Sequence, residues 1–171
     1  MGAEALGIYF FAFNAGLSLA TSASVAFARV VFPRITAAAD RTRAAREATL
    51  LVTLLTAPVI LLQALMAPIY VPILFGPDWA EIADTVAILC LAAIPTMLWS
   101  GTAQWLRAED RAGVEFRVTL LITLALVAST TLLAPLGTTA IAWGYLAVTT
   151  LIQVAASLPL ILPTRPALQE V

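Results

Sequence analysis

The chain has 171 residues, of which 61% are hydrophobic and 11% charged, whereas an ordinary soluble domain is about 45–50% apolar and about 25% charged. A domain this small has too much surface for its volume to hide such an apolar excess from water, which argues against a soluble enzyme, a disordered regulator and a secreted disulfide scaffold. Nine cations, all of them arginine, and ten acids leave a net charge of −1, so no basic excess is present to neutralise a nucleic-acid backbone.

The composition also limits the chemistry. Histidine is absent, which removes His-based metal sites, His proton relays and Ser–His or Cys–His pairs. The single cysteine, Cys90, cannot close an intrachain disulfide. The eight glycines form neither GxGxxG nor GxxxxGK. No catalytic residue, metal ligand or cofactor is expected, and the chain is not read as an enzyme.

A helix needs about 20 mostly apolar residues to cross the hydrocarbon core. Taken in chain order, the uncharged runs predict five such helices, near 5–31, 48–75, 82–106, 114–134 and 138–162. The fold class is therefore all-α, a polytopic transmembrane bundle occupying residues 1–163, with a cytoplasmic tail at 164–171.

The first helix carries two stripes. Ala12, Gly16, Ala20, Ser24 and Ala28 recur every four residues, a small-xxx-small ladder that lets another helix approach closely. Asn14, Ser18, Thr21, Ser22 and Arg29 lie on another face, inside an arc of about 100°. Polar groups at membrane depth usually face protein or a water-filled cavity. The stripe is thus a candidate hydrated pathway, ending in Arg29. Set against it, Ser and Thr can satisfy themselves on their own helix, and Arg29 can snorkel to the interface as a topology signal.

Residues 32–47 read as a loop, with Arg41–Glu47 as its solvated part. In the second helix, Pro58 predicts a kink, and Pro68 and Pro72 predict that the far end bends or unwinds. Pro95 predicts a kink in the third. Glu109-Asp110, between Arg107 and Arg111, reads as a hydrated connector. Pro135-Leu136-Gly137-Thr138 is a turn-forming cluster that divides the last two helices.

Five crossings put all nine arginines on one side and none on the other. Basic residues collect on the cytoplasmic side, so the N-terminus is expected outside and the C-terminus inside. Tyr9, Tyr70, Trp79, Trp143 and Tyr145 map near the outer boundary and Trp105 near the inner one, as interfacial aromatic belts do. An odd number of helices with an outward start suggests that an upstream part is lacking and that the chain is a fragment.

Leu6-Gly7-Ile8-Tyr9 with Ala12, and Val31-Phe32-Pro33-Arg34-Ile35, are similar to the G-x-Y-x-x-A start of a helix and the exit from that helix in bacterial polysaccharide-export flippases, the Wzx-like oligosaccharide transporters of the MOP (MATE-like) superfamily. Leu74-Phe75-Gly76-Pro77-Asp78-Trp79 resembles their LFG-x-x-W outer turn. Leu106–Arg111 and Ala134–Gly137 with Ile141-Ala142 resemble two further turns. Glu109-Asp110 departs from the family, where a glycine usually lies.

The resemblance covers nearly the whole chain and implies the C-terminal lobe of a flippase in the bacterial inner membrane. It implies export of an undecaprenyl-pyrophosphate-linked oligosaccharide by alternating access, for cell-surface polysaccharide, with an N-terminal lobe or second membrane chain as partner. Arg29 has the forked donors that suit a pyrophosphate. A non-transporting scaffold subunit, associating through the Ala12–Ala28 ladder, is the alternative. A membrane-embedded sugar-transfer enzyme is a weaker third reading.

Overall fold

Lipid offers no partner for backbone N–H and C=O groups, so a chain with long apolar runs satisfies them internally as helix. The computed structural model describes residues 3–162, with side chains from Gly7 onward except Leu19 and Ala20. The expected tail at 164–171 lies outside the described residues.

The elements are α1 (Ala3–Ala37), α2 (Arg41–Phe75), a 3-10 turn (Pro77–Ile82), α3 (Ala83–Leu91), α4 (Ala93–Ala108), α5 (Ala112–Leu133), a second 3-10 turn (Ala134–Leu136) and α6 (Thr138–Ile161). They supply five stretches long and apolar enough to cross a membrane, with α3 and α4 together forming the third. The all-α membrane bundle is therefore present.

Two boundaries and the form of one helix end differ from the sequence expectation. First, α1 does not end near 31 but runs through Pro33 to Ala37. Proline removes the donor that would meet the Arg29 carbonyl, yet the helix continues one more turn, and Thr36 Oγ1 donates to the carbonyls of Phe32 and Pro33. Second, Arg41–Glu47 is not a loop but the start of α2. Asp40 caps it, its carboxylate accepting from the Arg43 N–H at 2.8 Å, which satisfies one of the orphan donors of a helix N-terminus. Third, the far end of α2 does not unwind at Pro68 or Pro72, and the helix persists to Phe75.

The third span breaks at Ala92. Pro95 cannot donate to the Leu91 carbonyl, and the next bond, Thr96 N–H to Ala92 O, is stretched to 3.4 Å. Thr96 Oγ1 donates to the same Ala92 carbonyl at 2.8 Å. The proline expected to kink this span thus divides it three residues upstream.

This broken span is the centre of the bundle, packed against α1, α2 and α6, while α5 leans mainly on α6. Close approach depends on small residues: a Cβ on Gly101 of α4 would overlap the side chain of Thr49 on α2. Ile122 is the one buried side chain of α5, whose Leu120, Leu121, Leu124 and Val127 are exposed. Such faces suit hydrocarbon rather than water.

The end of the bundle that carries the arginines is tied together by polar contacts. Arg41 donates to the Ala108 carbonyl at 2.8 Å, and the Trp105 indole N–H to Thr42 Oγ1 at 3.1 Å. The Arg111 guanidinium sits 5.8 Å from the Trp105 ring centre, within cation–π range. Arg107 pairs with Glu115 through both carboxylate oxygens, joining α4 to α5. Deeper in, Thr102 Oγ1 donates to Ser157 Oγ at 2.9 Å, and Ser157 Oγ to the Gln153 carbonyl at 2.8 Å. Glu109 and Asp110 form the turn between α4 and α5, with Asp110 in the left-handed region at φ 56°.

Candidate functional site

The two stripes of α1 have different surroundings. Ala12 is fully buried. Gly16 is buried against α3, where an added Cβ would stand 2.9 Å from Leu89 Cβ and 3.2 Å from both the Cys90 nitrogen and the Val86 oxygen. Ser24 is half-buried and donates to Met97 Sδ of α4 at 3.1 Å, and Ala28 is half-buried. The side chain of Ala20 lies outside the described ones. The ladder's neighbours are thus α3 and α4 of the same chain, and α1 straddles the break between them.

Asn14, Ser18, Thr21, Ser22 and Arg29 are all exposed. The first four line a groove of about 250 Å³ together with Phe13 and Leu17. Asn14 Nδ2 donates to the Phe10 carbonyl at 2.8 Å, and Thr21 Oγ1 to the Leu17 carbonyl at 2.9 Å. Those two side chains are therefore partly satisfied by their own helix, as polar groups in membrane helices commonly are. Ser18 and Ser22 make no side-chain hydrogen bond among the described residues.

Arg29 is not part of the groove. It lies two turns beyond Ser22 on the same side of α1, toward the arginine-bearing end, and makes no ion pair among the described residues. Phe13 and Leu17 were missed as groove walls because apolar flanks of a polar stripe look like ordinary lipid-facing positions. Their spacing of four residues beside Asn14 and Ser18 is the only sequence signal that could have found them.

The arrangement holds no triad or paired acid. Among the described residues no group of three or more Cys, Asp or Glu side chains could hold a metal ion. What the groove offers is a strip of hydroxyl and amide groups along one membrane helix, open on the side that the other described residues leave uncovered, with a cation farther along.

Comparison with known proteins gives one result for this region. Residues 1–84 match the family model described as Polysaccharide biosynthesis protein. The match spans α1, α2 and the 3-10 turn, just short of half the chain, and supports a family of polysaccharide-biosynthesis type. No curated protein and no solved structure matches.

Proposed function

We propose that this bundle is one lobe of an exporter that flips a lipid-linked oligosaccharide across the bacterial inner membrane by alternating access. The observation that carries the reading is the two-sidedness of α1. Its small face is consumed by α3 and α4, while its polar face forms a groove that no helix among the described residues covers. Hydroxyl and amide groups exposed to hydrocarbon are costly. They are accommodated if a second lobe stands opposite and water and the saccharide headgroup pass between the two.

The match to a polysaccharide-biosynthesis family supports this reading, and so does the resemblance in the turns. In this reading Arg29 meets the anionic pyrophosphate near the cytoplasmic leaflet, because a guanidinium offers forked donors that match phosphate oxygens. Asn14, Ser18 and Ser22 replace water around the sugar as it moves. The chain then lies with its arginine-bearing end in the cytoplasm and its N-terminus outside.

The test is export in cells or vesicles that contain the complete assembly. Ser18→Leu and Asn14→Leu should each reduce delivery of lipid-linked saccharide to the outer leaflet several-fold at unchanged protein level. Wild-type export in both variants would contradict the proposal.

A further inference from the structure

At the end of the bundle opposite the arginines lies a second, larger cavity. Its volume is about 450 Å³, and Gly7 and Ile8 of α1 line it with Asp78, Trp79, Glu81 and Ile82 of the 3-10 turn. The turn is fixed by backbone geometry. Gly76 takes φ 101°, a conformation that side-chain-bearing residues rarely adopt. Its N–H bonds the Pro72 carbonyl at 3.0 Å, and its own carbonyl accepts the Trp79 N–H at 3.1 Å. One part of the indole packs on Phe11, with ring centres 4.7 Å apart, and Phe11 is held in turn by Phe75 at 4.5 Å. Trp79 is therefore a rigid wall. Gly7 lines the opposite side of the cavity, and a Cβ built on it meets nothing within 4 Å, so that side is open space.

The chemistry of the lining is specific. A flat indole presents an apolar face with one polar tip. Asp78 and Glu81 are exposed and make no ion pair among the described residues. The described arginines are all toward the other end, so no described cation pairs with these carboxylates. Ionised carboxylates accept several hydrogen bonds and donate none. A ligand that fits has an apolar face to lie on Trp79 and several hydroxyl or amide donors at its edge. A pyranose ring combines both, and the volume is in the range of small-molecule pockets.

We propose that this cavity is a saccharide subsite, in which Trp79 stacks on the C–H face of one sugar ring and Asp78 and Glu81 accept hydrogen bonds from its hydroxyl groups. It rests on the reading that the exported cargo carries sugar, and it places a receiving site at the end of the bundle away from the arginines. Gly7 lines one side of the site, and the turn at Gly76, whose positive φ glycine adopts readily, holds the aromatic and acidic residues on the other.

The experiment is ligand binding, independent of transport. The full chain is reconstituted in nanodiscs and titrated with methyl β-glucoside and methyl N-acetyl-β-glucosaminide, read by saturation-transfer NMR. The expected result is transfer to the ring C–H protons of at least one glycoside, with affinity lowered about tenfold by Trp79→Leu, as for other aromatic anchors. Because Trp79→Leu also loses packing on Phe11, Gly7→Leu is the companion variant. It fills the cavity from a position with no close neighbour and should weaken binding comparably. No transfer to either glycoside, or binding that Gly7→Leu leaves unchanged, overturns the proposal. So does calcium chloride binding that Asp78→Asn with Glu81→Gln abolishes while neither glycoside binds, which would make the cavity a cation site. Glycoside binding with wild-type export in Ser18→Leu and Asn14→Leu would overturn the transport reading alone. Impaired export in those variants without glycoside binding would overturn the subsite alone.

Discussion

Gly16 and Leu89 meet so closely that the backbone of α1 rests directly on α3, with room for a hydrogen but not for a methyl group. That contact fixes which way α1 faces. With Gly16 turned inward, Asn14, Ser18 and Ser22 turn outward, so the packing of the small face determines the placement of the groove.

The first prediction concerns that contact. Gly16→Leu should destabilise the chain by about 1–3 kcal/mol through overpacking, seen as a lower unfolding midpoint in detergent or as loss of folded protein. Gly113→Leu, at a site where an added Cβ meets nothing within 4 Å, should leave the midpoint near wild type. Equal behaviour of the two variants would refute the close approach of α1 and α3.

The buried hydroxyl pair gives a second prediction. Thr102→Val removes the donor to Ser157 while keeping the shape of the side chain. Hydrogen bonds between membrane helices average about 0.6 kcal/mol, with a maximum of about 1.7. A double-mutant cycle with Ser157→Ala should return a coupling in that range between α4 and α6. A coupling of zero would mean that the two hydroxyls do not interact.

A third prediction separates surface ion pairs from that buried pair. Arg107 and Glu115 join α4 to α5 through both carboxylate oxygens, with the Arg107 side chain half exposed and that of Glu115 largely buried. Glu115→Gln should therefore cost about 1 kcal/mol, the upper end for a surface pair, and less as salt is raised. Arg43 and Glu47 are more exposed still, and Glu47→Gln should be silent in thermal unfolding. A large loss from either change would show a structural role that exposed pairs rarely have.

Arg29 supplies the fourth. In the complete assembly Arg29→Ala should reduce export several-fold, and Arg29→Lys should retain part of it, since a lysine keeps the charge but loses the fork. Export unchanged by Ala would leave Arg29 with a topological role only.

The sequence showed the spans clearly because the demand of the bilayer is coarse: some 20 apolar residues either occur or do not. The ladder was legible for a related reason, since glycine and alanine every fourth residue make a flat helix face. What it packs on was not. Periodicity says that Gly16 needs a neighbour, not that the neighbour is Leu89 rather than a separate chain. The proline signals had different outcomes. Pro33 reads as the exit from a helix, yet α1 passes it, because one unpaired carbonyl near the end of a helix is tolerable. Pro95 reads as a kink in the third span, and that span does break, upstream at Ala92, because the missing donor acts on the carbonyl four residues earlier. The start of α2 was legible in principle, with Asp40 placed three residues before Arg43 as a helix cap, but the run of charges around it resembled a solvated loop. The Trp79 cavity could not have been read from the chain, because Gly7 and Asp78 are brought together only by the packing of α1 on the 3-10 turn.

The central claim is that the polar face of α1 is wet while the rest of the bundle's exterior is in lipid. Single cysteines at positions 14, 18 and 22, in a Cys90→Ala background, are to be compared with cysteines at Ala12 and at Leu124 of α5, using a charged, water-soluble thiosulfonate on the reconstituted complete assembly. The account predicts rapid modification at 14, 18 and 22, with little at 12, which is buried against the core, or at 124, which faces hydrocarbon. Protection at 14, 18 and 22 equal to that at 124 would contradict it.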